Sequence, residues 1–158
     1  MEPHFLNDCW SLYFHDPSDE NWNRSSFIKI TDISTIEDFW AVNMIIKDHL
    51  YQAMFFLMRE SIFPLWEETE NRNGGYISLK ILKAQVPDTW EELSAKLLSE
   101  NLLKPAHSNL WNHINGISIS TKRSFVIFKL WLKTHEVSMP IMYNIQCADI
   151  NEMLFKAY

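Results

Sequence analysis

Hydrophobic and polar positions along the chain change their period several times, and each change marks an element. Over residues 9–15 they alternate, with Trp10, Leu12 and Phe14 on one side and Ser11, Tyr13 and His15 on the other. This is the pattern of a strand half buried in a sheet. A polar loop follows over residues 16–21, with Trp22 set among Asn21, Asn23 and Arg24, and residues 26–31 predict a second short strand. Ser34-x-x-Glu37 is a capping-box pattern, and Ile36, Phe39, Trp40, Asn43 and Met44 recur at helical spacing. A helix of about three turns is expected to start near Thr35 and to end before Tyr51.

Residues 51–59 read as a strand, and Pro64-Leu65-Trp66-Glu67-Glu68 as a loop. Asn73-Gly74-Gly75 then turns the chain into another strand, 76–81. Asp88-x-x-Glu91 repeats the capping pattern and opens a helix through Leu93, Leu97 and Leu98. Residues 116–121 and 125–132, joined by Lys122-Arg123-Ser124, predict a hairpin. Pro140 precedes a last apolar run, 141–145, and 149–158 predicts a terminal helix. Strands interspersed with few helices imply an α+β fold, a mostly antiparallel sheet with helices on one face.

A length of 158 residues suits one domain, 1–158, able to bury a core without staples. Two cysteines, Cys9 and Cys147, make no disulfide framework and favour a reducing, cytoplasmic setting. Residues 1–10 lack a basic and then apolar order, so no signal peptide is expected. No apolar run approaches the roughly 20 residues that span a bilayer, so a soluble protein without a membrane partner is expected. A net charge of −6 argues against broad nucleic-acid binding and leaves room only for a local contact.

Enzyme chemistry finds little support. The six histidines are scattered, His107 and His113 have no cysteine or second pair to complete a metal site, and three glycines cannot build a phosphate loop. No metal, cofactor or catalytic residue is expected. Glu67/Glu68 and Glu91/Glu92 are adjacent pairs, for which solvated surface is the default.

The informative residues are tryptophans. Trp10 belongs to a strand face and Trp90 to an amphipathic helix, whereas Trp22 and Trp66 lie in polar loops that no core periodicity claims. Each either lies on a core edge or grips a ligand. Two loop indoles with Glu67 beside one of them suit a flat cationic ring with N–H donors along one edge. A guanine methylated at N7 meets those demands.

The strings Asn7-x-x-Trp10-x-Leu12-Tyr13-Phe14, Trp22, Ile36-Glu37-Asp38-Phe39-Trp40, Pro64-x-Trp66-Glu67, Gly74-Gly75, Trp90-Glu91-Glu92-Leu93 and Gly116…Trp131 occur in the order and near-spacing of one family. The chain resembles the translation initiation factor 4E family of mRNA cap-binding proteins, from His4 to about Trp131. The resemblance implies a curved antiparallel sheet backed by helices, with the 7-methylguanosine cap in the concave face. It implies that Trp22 and Trp66 sandwich the base, that Glu67 accepts from its N1 and N2, and that Trp131 contacts the N7 methyl. Lys122 stands where the family has a phosphate-binding Arg, which keeps the charge and loses the fork. The second phosphate cation would fall at Ile127; Lys129, two residues on and on the same strand face, is its expected substitute, with Arg123 nearby.

The same resemblance implies a dorsal partner site that receives a Tyr-x-x-x-x-Leu-apolar motif from the scaffold factor 4G or from 4E-binding proteins. His4, Phe5, Ile36, Trp40, Glu91 and Ala95 fall in it, although spacing alone favours Trp40 as a core residue of an amphipathic helix. Phe5 replaces a Pro, Glu91 and Ala95 replace apolar residues, and Ser99 replaces a Gly, so the groove is recut. The region after Trp131 is too short for the family's next helix, so that 141–145 is expected as the final strand and part of the convex face is implied to be uncovered unless 149–158 or a partner packs there. The chain looks like a short, divergent member of the kind a virus or parasite encodes. The expected role is non-enzymatic: cap binding and recruitment of a scaffold in translation initiation, by a protein monomeric apart from that partner. The alternatives are a cap-sequestering repressor and an interaction module without cap affinity; a generic single-strand RNA binder is disfavoured by the acidic charge.

Overall fold

The first strand is buried on both sides, although only one phase of its alternation is apolar. The computed structural model describes residues 2–158. Strand β1 (Phe5–His15) sends Trp10 and Leu12 into the main core, while Ser11, Tyr13 and His15 are buried on the opposite face. The half-buried strand expected for 9–15 is therefore longer and covered on both sides.

The remaining strands are β2 (Phe27–Thr35), β3 (Met54–Arg59), β4 (Gly75–Ile81), β5 (Ile114–Thr121), β6 (Val126–Leu132) and β7 (Met153–Ala157). They form one curved sheet in the order β2-β1-β3-β5-β6-β4-β7, with every neighbouring pair antiparallel. Helices α1 (Ile36–Ile46) and α2 (Val86–Leu98) back its convex face, as the α+β reading requires. Their Phe39, Ile46, Trp90, Leu93 and Leu97 close the main core over Leu57, Leu79, Ile117 and Leu130. A smaller cluster on the concave face, built on Tyr13, Phe27, Phe56, Met58 and Trp131, floors the functional side. No helix is long and apolar enough to cross a membrane among the described residues.

The start of α1 lies one residue beyond the expected capping box. Thr35, not Ser34, is the cap: its hydroxyl accepts from the Asp38 backbone N–H at 3.0 Å, and the Asp38 carboxylate accepts from the Ser34 N–H at 3.3 Å. Glu37 is thereby free to hold the N-terminal segment, accepting from His4 Nδ1 at 2.5 Å and from the His4 backbone N–H at 3.1 Å. Those His4 hydrogen bonds pull the Glu37 carboxyl down to about 2. In α2 the Asp88 cap is likewise displaced, because the helix begins at Val86 with Pro87 in its first turn. Proline fits there since its missing N–H has no helical partner in any case, and Asp88 serves as a first-turn acid.

Asn43, an amide at an apolar position of α1, is explained by α2. Its Oδ1 accepts from the buried Trp90 indole N–H at 2.7 Å, joining the two helices. Replacing Asn43 with Ala should cost about 1–2 kcal/mol by leaving that N–H unpaired. A lower urea midpoint at unchanged slope reads this; an unchanged midpoint would make the bond dispensable.

The C-terminal third differs most from its sequence reading. The run 141–145 is not the final strand: Pro140–Met142 forms a 3₁₀ turn, and Tyr143 bridges to Leu103. Residues 149–158 are not a helix either. Asp149 caps a single 3₁₀ turn, Ile150–Glu152, and the chain then runs as β7 along β4. Met153 and Phe155 face the core side and Leu154 and Lys156 the other, so the period is two rather than 3.6. The convex face is covered by Val137, Met142 and Tyr143, with Ile145, Cys147 and Ala148 packed beside them, and 149–158 adds Met153 and Phe155 to the same core as the edge strand β7. Gly74 and Gly75 open β4 where a Cβ would meet the Leu132 carbonyl oxygen at 1.7 Å and the Lys156 carbonyl oxygen at 2.3 Å, so only glycine lets the three backbones approach.

Candidate functional site

Two loops rise from the concave face and each carries one exposed indole, Trp22 at 47% and Trp66 at 52% exposure. They border a cavity of about 800 Å³ floored by β3, β4, β5 and β6. Behind Trp22, the ring of His15 lies parallel at 3.8 Å, with an interplanar angle of 2°. His15 is fixed in turn by the Asp16 and Asn21 carbonyl oxygens, at 2.9 and 2.7 Å from its two ring nitrogens. One indole face is thus backed by imidazole while the ring lines the cavity.

The Trp66 loop hangs from a buried amide. Asn71 donates through Nδ2 to the carbonyls of Phe63 and Leu65, at 3.0 and 2.8 Å, and accepts at Oδ1 from Asn115. A clasp joins the two loops: Arg24, just after Trp22, pairs with Glu68 at 2.5 Å and lies over the Phe63 ring. The indole separation is therefore set by contacts between the loops as well as by the sheet.

Glu67 lines the same cavity and makes no hydrogen bond or ion pair among the described residues. It is an acceptor-only group available to N–H donors. Trp131 lies deeper, 7% exposed, with its indole N–H donated to Ser118 at 3.0 Å. Lys122, in the β5–β6 turn, and Lys129, on β6, supply the cations. The Lys129 ammonium lies 4.4 Å from the Tyr76 ring centroid, and burial, with smaller contributions from Lys122 and Lys156, pushes its pKa down. Trp22, Trp66, Glu67, Lys122, Lys129 and Trp131, widely separated in sequence, thus share one cavity. Arg123 does not line it; its carbonyl instead accepts from Lys83 at 3.0 Å.

The sequence reading missed Tyr158. It sits 5.8 Å from both Trp131 and Tyr76 and 6.2 Å from Trp66, ring centre to ring centre. Its hydroxyl is buried without a partner, and burial holds the phenol far above its ordinary pKa. Reading 153–158 with a period of two would have put Leu154, Lys156 and Tyr158 on the cavity side.

On the opposite face, between the start of β1 and the two helices, a groove of about 380 Å³ is lined by Phe5, Leu6, Ile36, Trp40, Ala95 and Leu98 among others. Trp40 is 43% exposed, which excludes the core-residue reading. His4 and Glu91 lie outside this groove: His4 is committed to Glu37, and Glu91 lines an adjoining depression with Asp88, Glu92 and Lys96.

A curved antiparallel sheet with a flat aromatic-walled cavity on one face and an apolar groove on the other defines a class of binding protein. The chain belongs to the eukaryotic initiation factor 4E family, whose profile matches residues 5–154. It is 28% identical over 140 residues to eukaryotic translation initiation factor 4E of Eremothecium gossypii, covering 83% of this chain and 63% of that protein. It is 30% identical over 141 residues to the isoform 4E of Solanum lycopersicum, covering 84% of this chain and 67% of that one. Its fold superposes with a TM-score of 0.75 on a schistosome eIF4E complexed with m7GpppA and a 4E-BP, at 25% identity, covering 87% of this chain and 75% of that one. The chain spans less than two thirds of the length of the Eremothecium relative.

Proposed function

We propose that this chain binds the 7-methylguanosine 5′ cap of mRNA, stacking the base between Trp22 and Trp66. The single observation that carries this reading is the pair of exposed loop indoles facing a cavity that also holds an unpaired carboxylate and two lysines. An indole pair attracts a cationic ring more strongly than a neutral one, because the ring quadrupole favours positive charge at its face. N7 methylation supplies that charge. Glu67 then accepts from the base edge, Trp131 closes the methyl side, and Lys122 with Lys129 meets the triphosphate. Family membership and the capped ligand of the schistosome relative support the assignment.

The role is binding rather than catalysis, in the cytoplasm, with a scaffold or a 4E-binding protein docked by a Tyr-x-x-x-x-Leu segment in the dorsal groove beside Trp40. The 4E-BP bound to the schistosome relative supports a partner of that kind. A cap-sequestering role without ribosome recruitment is the second reading, favoured by the small Ala95 and the acidic depression beside the groove.

Lys122→Ala tests the phosphate half of the site. It should weaken 7-methyl-GTP about 10- to 150-fold, as the loss of a charge-assisted hydrogen bond worth about 1.5–3 kcal/mol does, and leave 7-methylguanosine nearly unaffected. Equal losses for the two ligands would remove Lys122 from the phosphate contacts. Glu67→Gln should lower the preference for 7-methyl-GTP over GTP; an unmoved ratio would show that another group reads the base.

A further inference from the structure

The concave face carries more positive charge than a cap alone would use. Directly opposed residues of an antiparallel pair share a face, and Tyr76 opposes both Trp131 and Lys156, while Lys80 opposes Ile127. Tyr76, Ile127 and Trp131 line the cavity, so Lys80 and Lys156 stand on the same side of the sheet as Lys129. Along that side β4, β5, β6 and β7 present no Asp or Glu, in a chain with 20 acidic and 14 basic residues. None of Lys80, Lys122, Lys129 and Lys156 has an ion-pair partner among the described residues.

Lys80 and Lys156 are both exposed, and the four-residue step from Lys80 to Tyr76, the partner of Lys156, separates them by roughly 13 Å along the strands. Lys129 lies between them. Lys80 Nζ sits 4.3 Å from the Phe125 ring centre, while Leu154, 65% exposed, lies between the two lysines on the outer strand. An acidic protein that leaves one face with a row of unneutralised cations repels them from one another, and a run of phosphates relieves that repulsion. The field of Lys122 and Lys156 on Lys129 is in keeping with this.

We propose that Lys80 and Lys156 hold backbone phosphates of the RNA nucleotides that follow the cap, extending the site across β4 and β7. This rests on the cap reading. Each phosphate contact adds about 0.7 to the log–log salt slope for a single strand. A short, unstructured capped RNA should therefore show a slope steeper by about 1.4 than 7-methyl-GTP, from two such contacts.

The test titrates wild type and Lys80→Gln/Lys156→Gln with 7-methyl-GTP and with the capped RNA at several salt concentrations, following tryptophan fluorescence. The expected result is tighter binding and a steeper slope for the capped RNA, both lost in the double variant, with 7-methyl-GTP affinity unchanged within about twofold. Equal slopes for the two ligands, or an extra slope that survives the double substitution, would overturn the lysine assignment while leaving the cap reading in place. A polyglutamate peptide that displaced the RNA as effectively as an RNA competitor would overturn RNA as the occupant. Absence of 7-methyl-GTP binding in wild type would overturn the cap reading and this extension with it.

Discussion

Trp66→Ala should weaken 7-methyl-GTP binding by about 5- to 150-fold, the loss of a base–indole stack worth roughly 1–3 kcal/mol. Trp22→Ala should fall in the same range. Its loss is expected to be the smaller of the two, because the parallel His15 ring behind Trp22 offers a second flat surface once the indole is gone. Both side chains are about half exposed, so neither truncation opens a core cavity and the fold should persist. Circular dichroism with unchanged melting checks that point, and quenching of the remaining tryptophans reads the affinity. Full affinity in both variants would remove the indoles from the site.

The second large effect is expected on the other face. Trp40→Ala should reduce capture of a Tyr-x-x-x-x-Leu peptide roughly 30-fold or more, as truncating an aromatic anchor at the centre of an interface costs about 2 kcal/mol or more. It should leave 7-methyl-GTP binding intact, because the sheet lies between the groove and the concave-face cavity. The acidic depression formed by Asp88, Glu91 and Glu92 adjoins the groove through Ala95. A peptide with Lys or Arg on that flank should accordingly bind better than one with Glu there, by electrostatic complementarity that weakens with salt. Fluorescence polarisation with both peptides measures this. Unchanged capture by the Trp40 variant would take the groove out of partner binding.

What the sequence disclosed follows from where each structural cause resides. The period-two run at 9–15 and the turn glycines are local signals, and they became β1 and the entry to β4. The loop indoles stood out because no periodicity claimed them, and both line the cavity. Choosing between Ser34 and Thr35 as the helix cap needed the pairing of β2 with β1, in which Thr35 opposes Phe5. Residues 153–158 needed β4: a short edge strand takes its conformation from hydrogen bonds to a partner some 80 positions earlier, and no local pattern reports them. Tyr158 was illegible for the same reason, since its place beside Trp131 depends on that register. Arg123 was grouped with Lys122 by sequence adjacency, yet the turn separates their fates. Asn71 and Asn115, which carry the Trp66 loop, look like ordinary polar residues until their shared hydrogen bond is seen.

The most direct measurement is a fluorescence-quenching titration of the intact chain with 7-methyl-GTP and with GTP under identical salt and pH. The two ligands share phosphates, sugar and base outline, so the ratio of their affinities isolates the N7 methyl and the charge it brings. Saturable quenching by 7-methyl-GTP is expected, with affinity for GTP lower by at least about tenfold, or about 1.4 kcal/mol. Equal affinity for both nucleotides, or binding of neither, would contradict the cap reading.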